Sequence, residues 1–310
     1  MDKKKIVAVV GPTASGKTSL AVELAKKFNG EVVSADSMQI YKGMDISSAK
    51  PTEDEMQGIK HHLISVKEND ERYSVADFVS DAKRICMDIV SQNKLPIICG
   101  GTGLYIDSFV NNIEFIDEGF SDEIRQKLFS RLDNEGADAL YNELSAIDSR
   151  YADTINKNNI KRVIRALEIY YSTGNTMTRQ KELSKKNKPE FDAFYIGINF
   201  RDRNTLYERI NNRVDRMIVD GLVDEAREFL LLNDVKTAGQ AIGIKELKPY
   251  FECKISLEEA VEKIKQETRR YAKRQLTWFK RNDAVHWIYA DETDNVNEQA
   301  FLMVEDFLRG

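Results

Sequence analysis

The chain is sparing with the residues that would announce a stapled, metal-clamped or membrane-bound protein. Its 310 residues hold three cysteines, Cys86, Cys99 and Cys253, far apart, odd in number and without CxxC spacing. That pattern excludes a disulfide framework and a cysteine-based zinc site, and all three are expected as buried, small apolar side chains in a reducing compartment. Of only three histidines, His61 and His62 are adjacent. On extended backbone neighbours point to opposite faces, so this pair cannot share a metal, and structural or hydrogen-bonding roles are expected. No apolar run approaches the ~18 residues of a membrane-spanning helix. The opening Met1-Asp2-Lys3-Lys4-Lys5 leads straight into a short strand-like run, with neither the apolar stretch nor the cleavage site of a signal peptide. A cytoplasmic address is the expectation. Internal repeats and low-complexity tracts are also missing.

Hydrophobic residues make up 42% and charged residues 31%, the balance of an ordinary globular protein with a real core. The net charge of −5 argues against a generic nucleic-acid coat. Charge is uneven along the chain, however. Between positions 261 and 282, eight basic residues (Lys263, Lys265, Arg269, Arg270, Lys273, Arg274, Lys280 and Arg281) face only Glu262 and Glu267. A second basic stretch holds Lys157, Lys161, Arg162 and Arg165 with no acid among them. Stripes of this kind suit a bounded footprint for a polyanion, or are simply solvated helix faces.

Periodicity gives the fold class. A β-branched apolar run at 5–10 reads as a buried strand, and helical spacing follows over 18–28. A strand at 31–35, a helix at 73–90 and a strand at 95–99 come next. From about 121 to 188 the chain is helical and polar, ending in Lys185-Lys186-Asn187-Lys188-Pro189. With a strand at 194–198 and helices at 204–217 and 222–232, the strand–helix alternation returns. Strands alternating with helices predict an α/β fold: a P-loop NTPase-like core with a central parallel sheet, interrupted by a helical insertion domain. The core is expected at 1–115 and 194–310, the insertion at 116–193.

Gly11-Pro12-Thr13-Ala14-Ser15-Gly16-Lys17-Thr18 fits GxxxxGK[ST] at every fixed position, between an expected strand and an expected helix. Such a loop turns backbone N–H groups around phosphate oxygens, and the helix that follows adds its positive end. Lys17 supplies a mobile cation, and the Thr18 hydroxyl is placed to ligate Mg²⁺, the expected metal. The loop says diphosphate without saying phosphoryl transfer. A GTPase is disfavoured for want of an NKxD-type motif, and a motor ATPase for want of an apolar run ending in Asp-Glu. Asp36 closes the second strand, where ligands of open α/β sheets sit, and can take a proton from an incoming nucleophile. Thr102, in Gly100-Gly101-Thr102-Gly103 after the strand at 95–99, is a candidate to position substrate. Each has a plain structural alternative: a turn cap for Asp36 and a tight turn for the Thr102 segment. Trp278 and the tyrosines are expected in the core.

In order along the chain, GPTASGKT (11–18), ADSMQIYKGMDI (35–46), AKP (49–51), HHL (61–63), GGTGLY (100–105), RVIRALE (162–168), RVDRM (213–217), AIG (241–243) and AKRQLTWF (272–279) resemble the bacterial tRNA dimethylallyltransferases, also called tRNA isopentenyltransferases. The resemblance covers nearly the whole chain. It implies that Gly11 to Thr18 (Gly11, Pro12, Thr13, Ala14, Ser15, Gly16, Lys17 and Thr18) hold the diphosphate of dimethylallyl diphosphate in place of ATP, with help from Arg213 and, more weakly, Arg209. It implies Asp36 as general base and Thr102 as a nucleotide contact. It further implies that Asp36, Ser37, Met38, Gln39, Arg125, Lys161, Arg162, Val163, Ile164, Arg165, Gln240, Ala241, Ile242, Gly243, Ile244 and Lys245 hold a tRNA anticodon stem-loop. The implied reaction adds a dimethylallyl group to the exocyclic N6 amine of the adenosine just 3′ of the anticodon, and a monomer fits the family. Departures from the pattern fall at Ser47-Ser48, Ser65, Lys161 and Ile244, none of them a proposed catalytic group. From the residues alone, a small-substrate P-loop kinase and a nucleotide-gated RNA-binding switch stay open.

Overall fold

The computed structural model describes residues 3–115, 122–184, 187–232, 239 and 241–310. They fall into two compact units, one of residues 3–110 with 190–310, the other of residues 111–189.

The first unit is built on six parallel strands: β1 (Lys4–Val10), β2 (Gly30–Ser34), β3 (His61–His62), β4 (Leu95–Cys99), β5 (Phe191–Asn199) and β6 (Val285–Tyr289). Their spatial order is β3-β2-β4-β1-β5-β6. The order puts β1 at the centre, with Val7, Ala8 and Val9 beside Ile97, Ile98 and Cys99 of β4 on one edge, and Lys4 to Val10 beside Phe191 to Gly197 of β5 on the other. Because both faces are covered, β1 reads as an unbroken apolar run and not as an alternating one. The alternation survives in where each side chain goes. Ile6, Ala8 and Val10 join a core with Phe78, Ile106 and Phe109, whereas Val7 and Val9 join Leu20, Leu24 and Val304 on the other face.

The expected strands and helices of this unit are all present, within a few residues. Several elements were not foreseen, among them β3, β6 and the helix Leu257–Phe279. β3 has only two residues, too few to show a period. β6 is short and interrupted by His286. The helix Leu257–Phe279 buries a stripe of Ala260, Ile264, Ala272, Gln275 and Phe279, in which small and polar residues hide the apolar spacing behind a dense charge pattern. His62 Nε2 donates to the Glu31 carboxylate at 2.7 Å, and His61 Nδ1 lies 2.9 Å from the Ile59 carbonyl, so both serve hydrogen bonds. Trp278 packs against the core with its indole N–H on Asp107 at 2.6 Å. The cysteine expectation holds for Cys86 and Cys99 and fails for Cys253, which is exposed. Cys253 has a φ of 57° in the turn after the helix Ile244–Phe251, a conformation that projects the side chain outward.

The second unit is helical, with no strand among its described residues: Asp122–Glu135, Ala137–Ile147, Ser149–Ala152, Ile160–Thr173 and Met177–Ser184. Leu128, Leu140, Leu144, Val163 and Leu167 form its own apolar core. Asp148 is buried at the junction of two of these helices. It accepts from the Tyr151 N–H at 3.1 Å, the Thr178 hydroxyl at 2.6 Å and the Thr178 N–H at 2.8 Å. Replacing it with alanine orphans all three donors, so Asp148→Ala should destabilise this unit by about 2–4 kcal/mol, read as a lower midpoint in urea unfolding. Among the described residues, no helix is long and apolar enough to cross a membrane.

Candidate active site

The P-loop joins β1 to the helix Lys17–Lys27, whose first turn carries no acidic side chain to occupy its positive end. Its glycines are required by geometry. Gly11 has a φ of 146°, and a Cβ there would meet the Ile198 carbonyl oxygen of β5 at 2.5 Å. Thr13, Lys17 and Thr18 line a cavity of about 300 Å³ at the carboxyl ends of the strands, while Gly11, Pro12, Ala14, Ser15 and Gly16 form the loop behind them. The Ser15 hydroxyl is buried with no hydrogen-bond partner.

Two cations converge on this cavity. The Lys17 ammonium donates to the Pro12 carbonyl at 2.6 Å. Arg213, from the helix Arg203–Val219, donates to the Thr13 hydroxyl at 3.2 Å. Arg209, one turn earlier on that helix, holds the Ala14 carbonyl at 2.9 Å, where Ala14 has a left-handed φ of 62°. Burial drives Lys17 down to about 8; the nearby Arg213 pushes the same way, against the pull of Cys99 and Asp36. Arg213 is likewise lowered by burial, with Asp36 opposing. Two desolvated cations facing a single nearby carboxylate make a site short of negative charge. Such a site is complementary to a compact polyanion.

Asp36 lies two residues past β2, on the cavity wall opposite the loop. Its Oδ1 accepts from the Met38 N–H at 2.9 Å and the Gln39 N–H at 3.4 Å. This is the turn cap weighed as the plain alternative, and it uses one oxygen. No protein donor among the described residues bonds Oδ2, so capping and proton acceptance are compatible. Ser37, Met38 and Gln39 line the same cavity. Thr102 stands one step back: its hydroxyl accepts from the Ser37 N–H at 3.1 Å and so fixes the turn that carries Asp36.

Ala241, Ile242 and Lys245 also reach the cavity, whereas Ile244 is fully buried and Gly243 caps the helix Ile244–Phe251. Gln240 lies outside the described residues. Arg125, Lys161, Arg162 and Arg165 belong to the second unit, where the first three are exposed and Arg165 bonds Glu168 at 3.0 Å. Val163 and Ile164 are buried in that unit's core. Their side chains, like that of Ile244, pack inside the protein.

The helix Leu257–Phe279 brings residues that motif reading did not single out: Thr268, Tyr271, Arg274 and Gln275 all line the cavity. Tyr271 is half-buried, and its phenol is pushed above the ordinary range, first by desolvation and then by Asp36. The signal was within AKRQLTWF, but nothing in a helical charge pattern says which side faces a ligand. For a metal, the described residues hold no cluster of three or more His, Cys, Asp or Glu side chains. The hard oxygens available are the Thr18 hydroxyl and whatever diphosphate and water bring, a donor set that suits Mg²⁺.

Comparison with known proteins places this geometry. The profile of the IPP transferase family matches residues 39–282. A tRNA dimethylallyltransferase of Thermoanaerobacter sp. (strain X514) is 50% identical over 297 residues, spanning 95% of this chain and 94% of that relative. The solved full-length tRNA isopentenylpyrophosphate transferase of Bacillus halodurans superposes with a TM-score of 0.72 at 41% identity, covering 99% of this chain and 96% of that one. A eukaryotic dimethylallyltransferase acting on tRNA superposes with a TM-score of 0.83 at 29% identity, covering 99% of this chain and 80% of that structure. A family profile spanning most of the chain, relatives of such identity over nearly its full length and a shared parallel-sheet fold lead to one conclusion: the chain belongs to the IPP transferase family, alongside the tRNA dimethylallyltransferases.

Proposed function

We propose that this chain transfers a dimethylallyl group from dimethylallyl diphosphate to the N6 amine of the adenosine 3′-adjacent to the anticodon of tRNA, releasing diphosphate. The observation that carries the reading is the cavity in which two half-buried cations, Lys17 and Arg213, share the wall with Asp36. The Lys17 ammonium, the Arg213 guanidinium and the N–H groups at the helix start bind the donor's diphosphate and stabilise it as its C1–O bond breaks. Thr18 would hold Mg²⁺, which when bound neutralises part of the charge gathering on the diphosphate. An adenine amine is a weak nucleophile because its lone pair is delocalised, so driving the reaction from the leaving-group side suits it. The N6–C1 bond forms as diphosphate departs with the electron pair, and Asp36 Oδ2 collects the amine proton. The wall formed by Met38, Met217 and Ile242 gives the five-carbon group an apolar surface and thins the water around the allylic carbon.

The adenosine must leave its stack, which costs only a few kcal/mol in a loop already partly unpaired. Exposed Arg125, Lys161 and Arg162 on the helical unit, with Lys273 and Arg274 on the core, are the groups we assign to tRNA phosphates. Affinity for an anticodon stem-loop should therefore fall by roughly 10²-fold between about 50 and 200 mM salt if about four phosphates are neutralised. A filter-binding series reads this directly, and a flat response would remove the phosphate grip. Incubation with tRNA and labelled dimethylallyl diphosphate tests the reaction itself. Label should enter tRNA; tight ATP binding with no label transferred would return the chain to the kinases. We assign the protein to the cytoplasm, where its tRNA is found, and to a monomeric state.

A further inference from the structure

We propose that Gln275 is a specificity-determining residue of the phosphate loop: by occupying the Thr13 amide, it fits the loop to a diphosphate and leaves it short of donors for a third phosphate. The inference rests on the diphosphate reading above and asks why a loop pattern shared with nucleoside-triphosphate sites should stop at two.

A phosphate loop recognises its ligand mainly through backbone N–H groups, so the donors left free set how many phosphoryl groups it can satisfy. In this chain two consecutive positions in the first half of the loop, Pro12 and Thr13, have no free N–H to offer. Pro12 carries no N–H. The Thr13 N–H donates to Gln275 Oε1 at 2.8 Å. The Thr13 hydroxyl oxygen accepts from Arg213, and the Pro12 carbonyl accepts from Lys17. The amides left for a ligand are those at the helix end of the loop. A third phosphoryl group running back along the first half would meet the Pro12 carbonyl oxygen and a Thr13 amide already spoken for.

Gln275 is held so that it cannot simply turn away. It is 5% exposed, and its Nε2 donates to the Gly101 carbonyl at 3.1 Å. With the amide reversed, two donors would face each other at Thr13 and two acceptors at Gly101, so only one orientation satisfies both partners. The fit is close: a Cβ on Gly101 would come within 2.0 Å of Nε2. A single side chain thus ties the phosphate loop to the loop that carries Thr102, and in doing so withdraws a phosphate donor.

The test is calorimetry on the full chain with the magnesium salts of inorganic diphosphate and inorganic triphosphate. The parent protein should prefer diphosphate. Gln275→Met keeps the volume and removes both hydrogen bonds; it should raise triphosphate affinity relative to diphosphate by about tenfold, the worth of one amide restored to a charged acceptor. Gln275→Ala makes the same prediction should the methionine variant fail to fold, as judged by thermal denaturation. Gln275→Glu keeps the acceptor for Thr13 and adds a negative charge, so both anions should weaken, with no gain for triphosphate over diphosphate. If Gln275→Met or Gln275→Ala shifts both affinities equally, Gln275 only supports the loop and the proposal is overturned. A parent protein that binds neither salt would overturn the diphosphate reading itself.

Discussion

Replacing Asp36 with asparagine is expected to lower kcat by about 10²–10⁴-fold, the usual contribution of a general base, with little change in tRNA affinity or in KM for the prenyl donor. Asparagine is the informative substitution because of what Asp36 does besides accepting a proton. Its Oδ1 caps the turn through the Met38 and Gln39 amides, and an amide oxygen can do the same. Asp36→Ala would remove base and cap together, loosening Ser37, Met38 and Gln39 on the cavity wall, so a fall in kcat would be mixed with lost binding. The pair of variants separates the two roles. Single-turnover rates with saturating tRNA provide the measurement; an asparagine variant with parental turnover would eliminate Asp36 as the base.

Lys17→Met should cost about 10²–10³-fold in kcat/KM for the donor, the scale on which a lost transition-state donor is felt in a dry site. The same residue gives a pH signature. In the unfolded chain a lysine titrates at 10.5, and burial brings Lys17 to about 8 in the fold. The folded protein therefore binds fewer protons between those values than the unfolded one. The charged lysine costs stability below about pH 8, and the cost is relieved as pH rises toward 10.5. Binding runs the other way. Diphosphate needs the ammonium, so donor affinity for the free protein should drop as pH climbs through about 8. Calorimetric titration of inorganic diphosphate from pH 7 to 9 reads that step, and it should vanish in Lys17→Met. A pH-independent affinity in the parent would mean that Lys17 does not face the anion.

How much of the molecule is legible in its sequence divides along physical lines. The phosphate loop is legible because its requirements are local: glycine where β5 crowds Gly11, a lysine and a hydroxyl at fixed offsets, a strand before and a helix after. β1 is legible for a related reason, since full burial leaves nothing but apolar residues. Asp36 can be placed at a strand end, but its dual use as cap and acceptor needs the turn geometry. The helix Leu257–Phe279 shows what sequence conceals. Its charges suggest a solvated face, yet Tyr271, Arg274 and Gln275 line the cavity, and only the contacts with the phosphate loop and the loop beyond β4 reveal it. Ile244, Val163 and Ile164 show the opposite: they lie within segments that the resemblance implies for tRNA, while their own side chains are buried in the core.

The position of β1 between β4 and β5 has a consequence for synthesis. β4 leaves the ribosome about 85 residues after β1, and Phe191, which opens β5, follows Cys99 by about 90 more. At ordinary elongation speeds the nascent chain waits on the order of 5–20 s with one apolar border of its central strand unpaired. The helical unit emerges during that wait and folds on local contacts, so the interval belongs to its assembly. The exposed border of β1 is then the segment most in need of a chaperone's cover.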